Sequence, residues 1–229
     1  MKNSLRYIAA AVLAATSFAA SAAVTITEVA PWSSGNSPVG ADWFELTNTG
    51  SSAVNITGWK VDDNSNSFAS AVALNGIASI AAGQSVIFVE GNAATADAFK
   101  SNWFGAKAPA NLTIGTYSGA GVGLSSGGDA VNIYNAAGAL QANVTFGASE
   151  SASPFHTFDN AVGLNNSAVS KLSAVGINGA FAAANNPVEI GSPGSVAAVP
   201  EPESYAMLLA GMGLIGAVAR RRQGKANAA

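Results

Sequence analysis

The sequence contains no cysteine and a single histidine, His156. The lack of cysteine excludes disulfide bonds, zinc sites built on thiolates and thiol catalysis, and one histidine leaves no room for a metal site built on several imidazoles. A secreted domain that is large enough to bury its own core does not need disulfides. The chain has 229 residues, which indicates one domain of ordinary size with additional segments.

Charged residues are also scarce, at 10% of the chain against about 25% in a typical soluble domain. Small and polar residues replace them, a composition typical of a β-sheet protein with many turns and not of a helical bundle. Six of the ten bases lie near the two ends, so residues 24–199 hold 11 acids and 4 bases, a net charge of −7. Phosphate binding needs clustered Lys and Arg, so we expect no nucleic acid partner for this acidic body.

The N-terminus has the three parts of a secretory signal peptide, which are a positive start, an apolar run and a small-residue end. Ala20 and Ala22 fit the A-x-A cleavage pattern, and Ala23 follows directly. We therefore expect residues 1–23 to form a signal-peptide helix that the general secretion machinery removes. The alternative is an N-terminal helix that remains buried in the domain.

The C-terminus carries a second ordered pattern. A Pro-Glu-Pro motif, an apolar stretch and an arginine cluster follow one another: Pro200, Glu201, Pro202, then residues 205–219, then Arg220, Arg221 and Arg222. Fifteen helical residues reach about 22 Å, which is less than the roughly 30 Å hydrocarbon core of a bilayer. The pattern predicts a linker over 197–204 and a short transmembrane helix with a basic tail over 205–229. The basic tail stays in the cytoplasm and the preceding domain lies outside.

The order of these three elements resembles the PEP-CTERM sorting signal of Gram-negative bacteria over residues 199–223. The resemblance implies that the chain is a substrate of an exosortase, a membrane-embedded transpeptidase-like enzyme that recognises the Pro-Glu-Pro motif. It also implies a transient stay in the inner membrane and a final place at the cell surface or outside the cell. An ordinary single-span anchor with a proline-rich stalk is the alternative.

Between the two ends, short apolar runs alternate with turn residues, a pattern typical of β-strands. Phe44 and Leu46 are expected on one strand face and Glu45 on the other. The continuously apolar run 86–89 predicts a central strand that is covered on both faces, and a helix is predicted over 95–104. The predicted strands are 24–29, 43–47, 53–61, 85–89, 112–116, 122–124, 130–134, 141–146, 168–172 and 188–190.

Five short sequences occur in an order that resembles the lamin-tail domain. They are Ile-Thr-Glu-Val-Ala-Pro (26–31), Asp-Trp-Phe-Glu-Leu-Thr-Asn-Thr-Gly (42–50), Val-Asn-Ile-Thr-Gly-Trp-Lys-Val-Asp-Asp (54–63), Ile-Ala-Ala-Gly-Gln-Ser-Val-Ile-Phe-Val (80–89) and Gly-Gly-Asp-Ala-Val-Asn-Ile-Tyr (127–134). Ser-Pro-Gly at 192–194 is similar to the closing turn of that family. The resemblance implies an all-β, immunoglobulin-like β-sandwich over residues 24–196. The segment 92–121 departs from the family pattern and is expected to be a lid, a capping helix or an insertion.

Three residues in these sequences have structural roles that their neighbours indicate. Trp59, beside Gly58, is predicted to anchor the core under a tight turn. Asp129 follows two glycines and is predicted to accept backbone N–H bonds that fix the turn. Glu45 is predicted to point outward and to accept hydrogen bonds from a neighbouring strand or loop.

The acidic stretch after the third predicted strand offers a candidate metal site. Asp62, Asn64 and Asn66 match the first three ligand positions of a calcium loop, and Asp63 adds a carboxylate. The later glycine and glutamate positions of that loop hold a serine and an alanine, so a Ca²⁺ site needs ligands from another loop. The alternative is a solvated acidic loop, and no other cofactor is expected.

No catalytic constellation stands out, so we expect a protein that is not an enzyme. His156 and Asp159 supply two members of a Ser-His-Asp set, but the Gly-x-Ser-x-Gly elbow is lacking. The sequence thus favours a structural or interaction module of the cell surface or extracellular matrix. The alternative is an adhesion module for exopolysaccharide or surface proteins, and a secreted hydrolase comes third. A contiguous exposed aromatic patch would favour the adhesion module, and the candidates for it are Trp32, Trp43, Trp103 and Tyr117.

Overall fold

A computed structural model describes residues 24–32 and 37–195, together with Gly211, Met212 and Ile215. The predicted signal peptide, the Pro-Glu-Pro linker and the arginine cluster lie outside the described residues. Most of the predicted transmembrane helix lies outside them too. No helix within the described residues is both long enough and apolar enough to cross a membrane.

Residues 24–32 and 37–195 form fifteen β-strands and one α-helix. In chain order they are β1 (Val24–Ala30), β2 (Trp43–Asn48), β3 (Val54–Asn55), β4 (Lys60–Asp62), β5 (Val72–Ala73), β6 (Ser79–Ile80), β7 (Ser85–Glu90), α1 (Ala93–Phe104), β8 (Ile114–Tyr117), β9 (Asp129–Tyr134), β10 (Leu140–Phe146), β11 (Phe155–His156), β12 (Phe158–Asp159), β13 (Ser167–Val169), β14 (Phe181–Ala182) and β15 (Glu189–Gly191). Most predicted strands and the predicted helix are confirmed, with ends shifted by one to three residues.

Two five-stranded sheets and one three-stranded sheet organise these elements. The first sheet has the order β12-β1-β2-β7-β8, and the second has the order β13-β10-β9-β4-β5. The third sheet has the order β11-β15-β14, and β3 pairs with β6 separately. Most neighbours are antiparallel, but β8, β13 and β15 run parallel to β7, β10 and β11. Strands from the end of the chain therefore complete sheets that the beginning of the chain starts.

The main core lies between the first and second sheets, which confirms the predicted β-sandwich. Phe44 and Leu46 of β2 enter it from one side, and Val131 and Ile133 of β9 enter it from the other. Trp59 is part of the same core, as predicted, and its exposed fraction is 6%. Burying large apolar side chains of this kind stabilises the fold by about 1.5–3 kcal/mol each.

A second core covers the outer face of the first sheet. Helix α1 and the third sheet lie over it, and their side chains surround a tryptophan cluster. The Trp32 and Trp103 rings stack with centroids 6.3 Å apart, and Trp43 meets Trp103 edge-on at 5.7 Å. Ile87 and Val89 of β7 face this second core. The prediction that this strand is covered on both faces is confirmed, and the segment 92–121 supplies a capping helix.

Two predicted strands are wrong in part or in whole. The run 53–61 divides into β3 and β4 because a turn interrupts it, where Trp59 N donates to Ile56 O at 3.0 Å and Gly58 has φ +76°. The run 122–124 is a buried loop and not a strand. Its Leu124 N donates to Asp42 Oδ2 at 2.7 Å, so a carboxylate takes the bond that a neighbouring strand would otherwise accept.

The ends of α1 explain where the helix begins and stops. The Asn92 side chain accepts a bond from Ala94 N at 2.9 Å and a second one from Thr95 N, and Thr95 Oγ1 accepts in return from Asn92 N. This reciprocal pair is a capping box, which satisfies N–H groups that the first helical turn leaves free. The last turn ends at Gly105, which has a positive φ of +54°.

Candidate functional site

The last residues of the described body are 192–195, which we name the closing segment. Ser192 N donates to Glu28 Oε1 at 2.7 Å, and Gly194 N donates to Glu45 Oε2 at 2.6 Å. Ser195 N then donates to Ser192 O at 2.9 Å and completes a turn. The Ser-Pro-Gly sequence therefore forms a closing turn, and two acids of the first sheet hold it.

These two acids, Glu28 and Glu45, lie directly opposite each other on β1 and β2. They are 0% and 1% exposed. The Thr157 hydroxyl forms a short hydrogen bond to Glu28 Oε1, and Thr27 Oγ1 donates to Glu45 Oε1 at 2.7 Å. The prediction that Glu45 accepts bonds from a neighbouring strand and a loop is confirmed. Glu45 points to the outer face of the first sheet, as predicted, but the third sheet and the closing segment cover that face and bury the side chain.

Burial changes the acidity of both side chains. It raises the pKa of Glu28 to about 8, with the charge of Glu45 adding to the rise and the bonds from Thr157 and Ser192 opposing it. Burial also raises the pKa of Glu45 to about 7, against the opposing bonds from Thr27 and Gly194. Among the described residues the ion pairs involve other acids, so no cation offsets this pair. The pair therefore keeps a proton at neutral pH.

A third buried acid joins the helix to the third sheet. Glu189 on β15 is 0% exposed, and its Oε2 accepts a bond from Asn102 Nδ2 of α1 at 2.6 Å. Burial raises the pKa of Glu189 as well. Two residues further on, Gly191 packs so closely that an added Cβ would lie 2.7 Å from Glu28 Oε1 and 2.9 Å from the Trp103 ring. No sequence pattern points to Glu28 or Glu189, since each occupies an ordinary polar position in a strand.

The predicted calcium ligands lie in the loop after β4, where protein groups already bond to them. Asp62 is buried, and its carboxylate accepts bonds from three serines: Ser65, Ser67 and Ser70. Asp63 Oδ1 accepts from Ser65 N at 2.8 Å. Within the described part of the chain, no group of three or more His, Cys, Asp or Glu side chains is arranged to hold a metal ion. The calcium site stays a prediction.

Asn64 and Asn66 line a hollow of about 440 Å³ on the outer face of the second sheet, which we name the asparagine hollow. Asn132 and Asn143 face each other across β9 and β10 and share a short bond from Asn143 Nδ2 to Asn132 Oδ1. Asp129 forms one wall and accepts three backbone N–H bonds, as predicted. The donors are Asn64 N at 2.9 Å, Ser125 N at 2.7 Å and Ala130 N at 2.8 Å.

The aromatic residues considered for an adhesion patch are all buried. Trp32, Trp43 and Trp103 are each 1% exposed, and Tyr117 is 0% exposed. They form the two cores and cannot contact a ligand from the surface. The hypothesis of an adhesion module therefore loses these residues as its binding face.

His156 and Asp159 do not come together. His156 Nδ1 lies 2.7 Å from Glu150 Oε2, while Asp159 Oδ2 lies 2.8 Å from both Lys171 Nζ and Asn178 Nδ2. Burial raises the pKa of Asp159, but the bonds from Lys171, Ala161 and Asn178 outweigh it and lower the pKa overall. Each residue therefore has its own structural partner, and the two do not form part of a Ser-His-Asp set.

The cleavage residues Ala20, Ala22 and Ala23 and the sorting residues lie outside the described residues, so their roles stay predictions. The sorting residues are Pro200, Glu201, Pro202, Arg220, Arg221 and Arg222.

Two facing sheets with a covered outer face define an immunoglobulin-like β-sandwich module. A sequence model of the Lamin Tail Domain family matches residues 17–148, more than half of the chain, and the chain belongs to this family. A second model, the PEP-CTERM protein-sorting motif, matches residues 198–223. That motif indicates export in a Gram-negative bacterium, recognition by an exosortase and a place at the cell surface or outside the cell. No curated protein matches the chain.

Proposed function

We propose that this protein is a non-enzymatic structural module that an exosortase sorts to the cell surface or the extracellular matrix. One observation carries the proposal: a model of the PEP-CTERM protein-sorting motif matches residues 198–223, on the C-terminal side of the described body. The lamin tail domain is a structural fold, and it forms the body here. The C-terminal segment therefore acts as an address and the domain as the cargo.

The parts of the tail have separate tasks in this proposal. The Pro-Glu-Pro motif is recognised by the exosortase, and the apolar stretch 205–219 halts in the inner membrane. The three arginines keep their end in the cytoplasm by the positive-inside rule. Nine residues, 196–204, separate the closing segment from the apolar stretch and can span at most about 30 Å. The enzyme therefore acts close to the folded body.

The closing segment protects the body during this processing. Its backbone is tied to Glu28 and Glu45 through Ser192 N and Gly194 N. Cleavage or transfer at the motif takes place beyond these bonds, so the sandwich keeps all its strands after the tail is removed. The secretion machinery and the exosortase are the partners that this proposal needs, and the inner membrane is a transient one.

Replacement of the motif in the host tests the proposal. A chain with Pro200→Ala, Glu201→Gln and Pro202→Ala should accumulate in the inner-membrane fraction, whereas the wild-type chain should reach the surface or the medium. Glu203→Gln is the matched control, because it removes one charge from the same linker outside the motif. Equal surface amounts of the motif variant and the wild type, measured by cell fractionation and immunoblotting, would refute the proposal.

A further inference from the structure

The two sheets of the sandwich differ in what covers their outer faces. Helix α1 and the third sheet cover the first sheet. On the second sheet, Asn143 is half-buried and Thr145 is exposed, and both line the asparagine hollow. At about 440 Å³ the hollow has the size of a small-molecule site.

Hydrogen bonds orient three of the asparagine side chains that line the hollow. Asn132 Nδ2 donates to Asp63 O at 2.5 Å, and Asn143 Nδ2 donates to Asn132 Oδ1. The two amides therefore form an ordered chain that ends on Asn143 Oδ1. The Tyr134 hydroxyl donates to Asn66 Oδ1 at 2.5 Å and fixes a residue with an unusual positive φ of +48°. Asparagine adopts this left-handed conformation more readily than other non-glycine residues, and the bond from Tyr134 fixes the direction of its side chain.

Several polar groups of the hollow have no hydrogen-bond partner among the described residues. They are Asn143 Oδ1, the Asn66 amide nitrogen, the Asn64 side-chain amide and the Thr145 hydroxyl. The set combines acceptors and donors, of which those on Asn66 and Asn143 are oriented by bonds within the protein, and it is the complement of a ligand whose groups both donate and accept. Hydroxyl groups have this property, and adjacent hydroxyls of a sugar present it repeatedly.

The charges around the hollow indicate a neutral ligand. Asp129 is the acid in its wall, and backbone N–H groups bond to both of its oxygens. No lysine or arginine is among the described residues that line it. The body as a whole holds 11 acids and 4 bases over residues 24–199, so it repels anionic polymers.

We propose that the asparagine hollow is a binding site for a neutral saccharide. The inference stands independently of the sorting proposal, because it rests on the outer face of the second sheet and not on the tail. No aromatic ring is among the described residues that line the hollow, so hydrogen bonds carry the recognition. A single sugar therefore binds weakly, and a polymer binds better through rebinding along its repeats.

Affinity electrophoresis of the full chain, purified in a detergent without a sugar headgroup, tests this site. The probes are three neutral polysaccharides, dextran, mannan and laminarin, and one anionic polysaccharide, polygalacturonate. We expect retardation by at least one neutral polymer. The double variant Asn64→Ala with Thr145→Val should weaken it about tenfold in apparent Kd, because it removes two groups that contact ligand and make no internal side-chain bond.

Thr25→Val is the matched control for the hydroxyl. Thr25 Oγ1 is buried on the first sheet and has no hydrogen-bond partner among the described residues, so its removal should leave retardation unchanged. Chemical-shift changes in the side-chain amides of Asn64 and Asn143 on addition of the retarding polymer would locate the contact.

Three results would overturn the inference. The first is retardation by none of the neutral polymers, and the second is equal retardation of the wild type and the double variant. The third is retardation that EDTA abolishes and Ca²⁺ restores, which would assign the site to a metal ion. Stronger retardation by polygalacturonate than by every neutral polymer would equally contradict a neutral ligand.

Discussion

Glu28 and Glu45 occupy a position where an ionised side chain is costly. An unpaired buried carboxylate costs several kcal/mol unless it takes up a proton or finds a cation. Here the oxygens accept N–H bonds from Ser192 and Gly194, and no cation pairs with them among the described residues. The strength of the hydrogen bonds between this pair and the closing segment therefore depends on how many protons the pair carries.

Stability should consequently fall as the pH rises. The folded pKa values of about 8 and about 7 both lie above the ordinary value of 4.5. The folded state thus binds more protons than the unfolded chain. The stabilisation that the pair gives to the folded state is complete below about pH 4.5 and is lost as the pH rises through about 7 and 8. We expect the urea midpoint, followed by tryptophan fluorescence, to decrease from pH 5 to pH 8.

Glu45→Gln should flatten this pH profile, because the amide no longer titrates. Asp97→Asn, at an exposed position of α1, is the matched control, because it removes an acid that does not belong to the pair. A Glu45→Gln profile as steep as that of the wild type would contradict the assignment of the titration to the pair.

Gly191→Ala should destabilise the protein by about 1–3 kcal/mol in urea unfolding. The added Cβ would lie 2.7 Å from Glu28 Oε1 and 2.9 Å from both the Thr157 and Trp103 side chains, so a packed core must shift. Gly147→Ala is the matched control, since nothing lies within 4 Å of its added Cβ. Equal midpoints for the two variants would show that the packing at Gly191 is loose.

At the scale of single residues, the sequence predicts those roles that depend on residues next to them in the chain. Trp59 beside Gly58 and Asp129 after two glycines have local signals, and both predictions are confirmed. The burial of Glu45 depends on Gly194, which is 149 positions away. No local pattern reports a contact at that distance, and the alternation of β2 indicates only which face the side chain takes.

At the scale of elements, α1 changes the character of the first sheet. A sheet of a sandwich often has one face in water, but Phe99 and Trp103 of α1 bury the outer face here. The helical spacing of its aromatic residues predicted the helix, while the capping box fixes where it begins. The two-residue strands β5, β6, β11, β12 and β14 were not predicted, because a period of two residues cannot be read from two positions.

Asn92→Ala should cost about 1 kcal/mol of stability, because it removes the side chain that accepts from Ala94 N and Thr95 N. Asn92→Ser is the matched control, since a serine hydroxyl can accept the same bonds and should retain most of the stability. Thermal unfolding followed by circular dichroism measures the difference. Equal loss in both variants would mean that the cap does not determine the start of the helix.

At the scale of the whole molecule, the family match ends at residue 148 but the fold does not. β12 pairs with β1 in the first sheet, β13 pairs with β10 in the second, and the third sheet covers the tryptophan cluster. We expect a chain that ends at residue 148 to lack a cooperative thermal transition, because it exposes much of the second core. A chain that ends at residue 195 should unfold cooperatively. Cooperative unfolding of both truncated chains would contradict the claim that residues 149–195 complete the core.

In the proposed function, the tail is an address and the domain is its cargo. Intact mass spectrometry of the native protein, from the host with and without its exosortase, tests it most directly. In the wild-type host we expect a mature chain that begins near residue 23 or 24 and lacks the arginine cluster. In the host without its exosortase we expect a chain that keeps its tail and stays in the membrane. A C-terminus that reaches Ala229 in both strains would mean a permanent anchor and would contradict the sorting function.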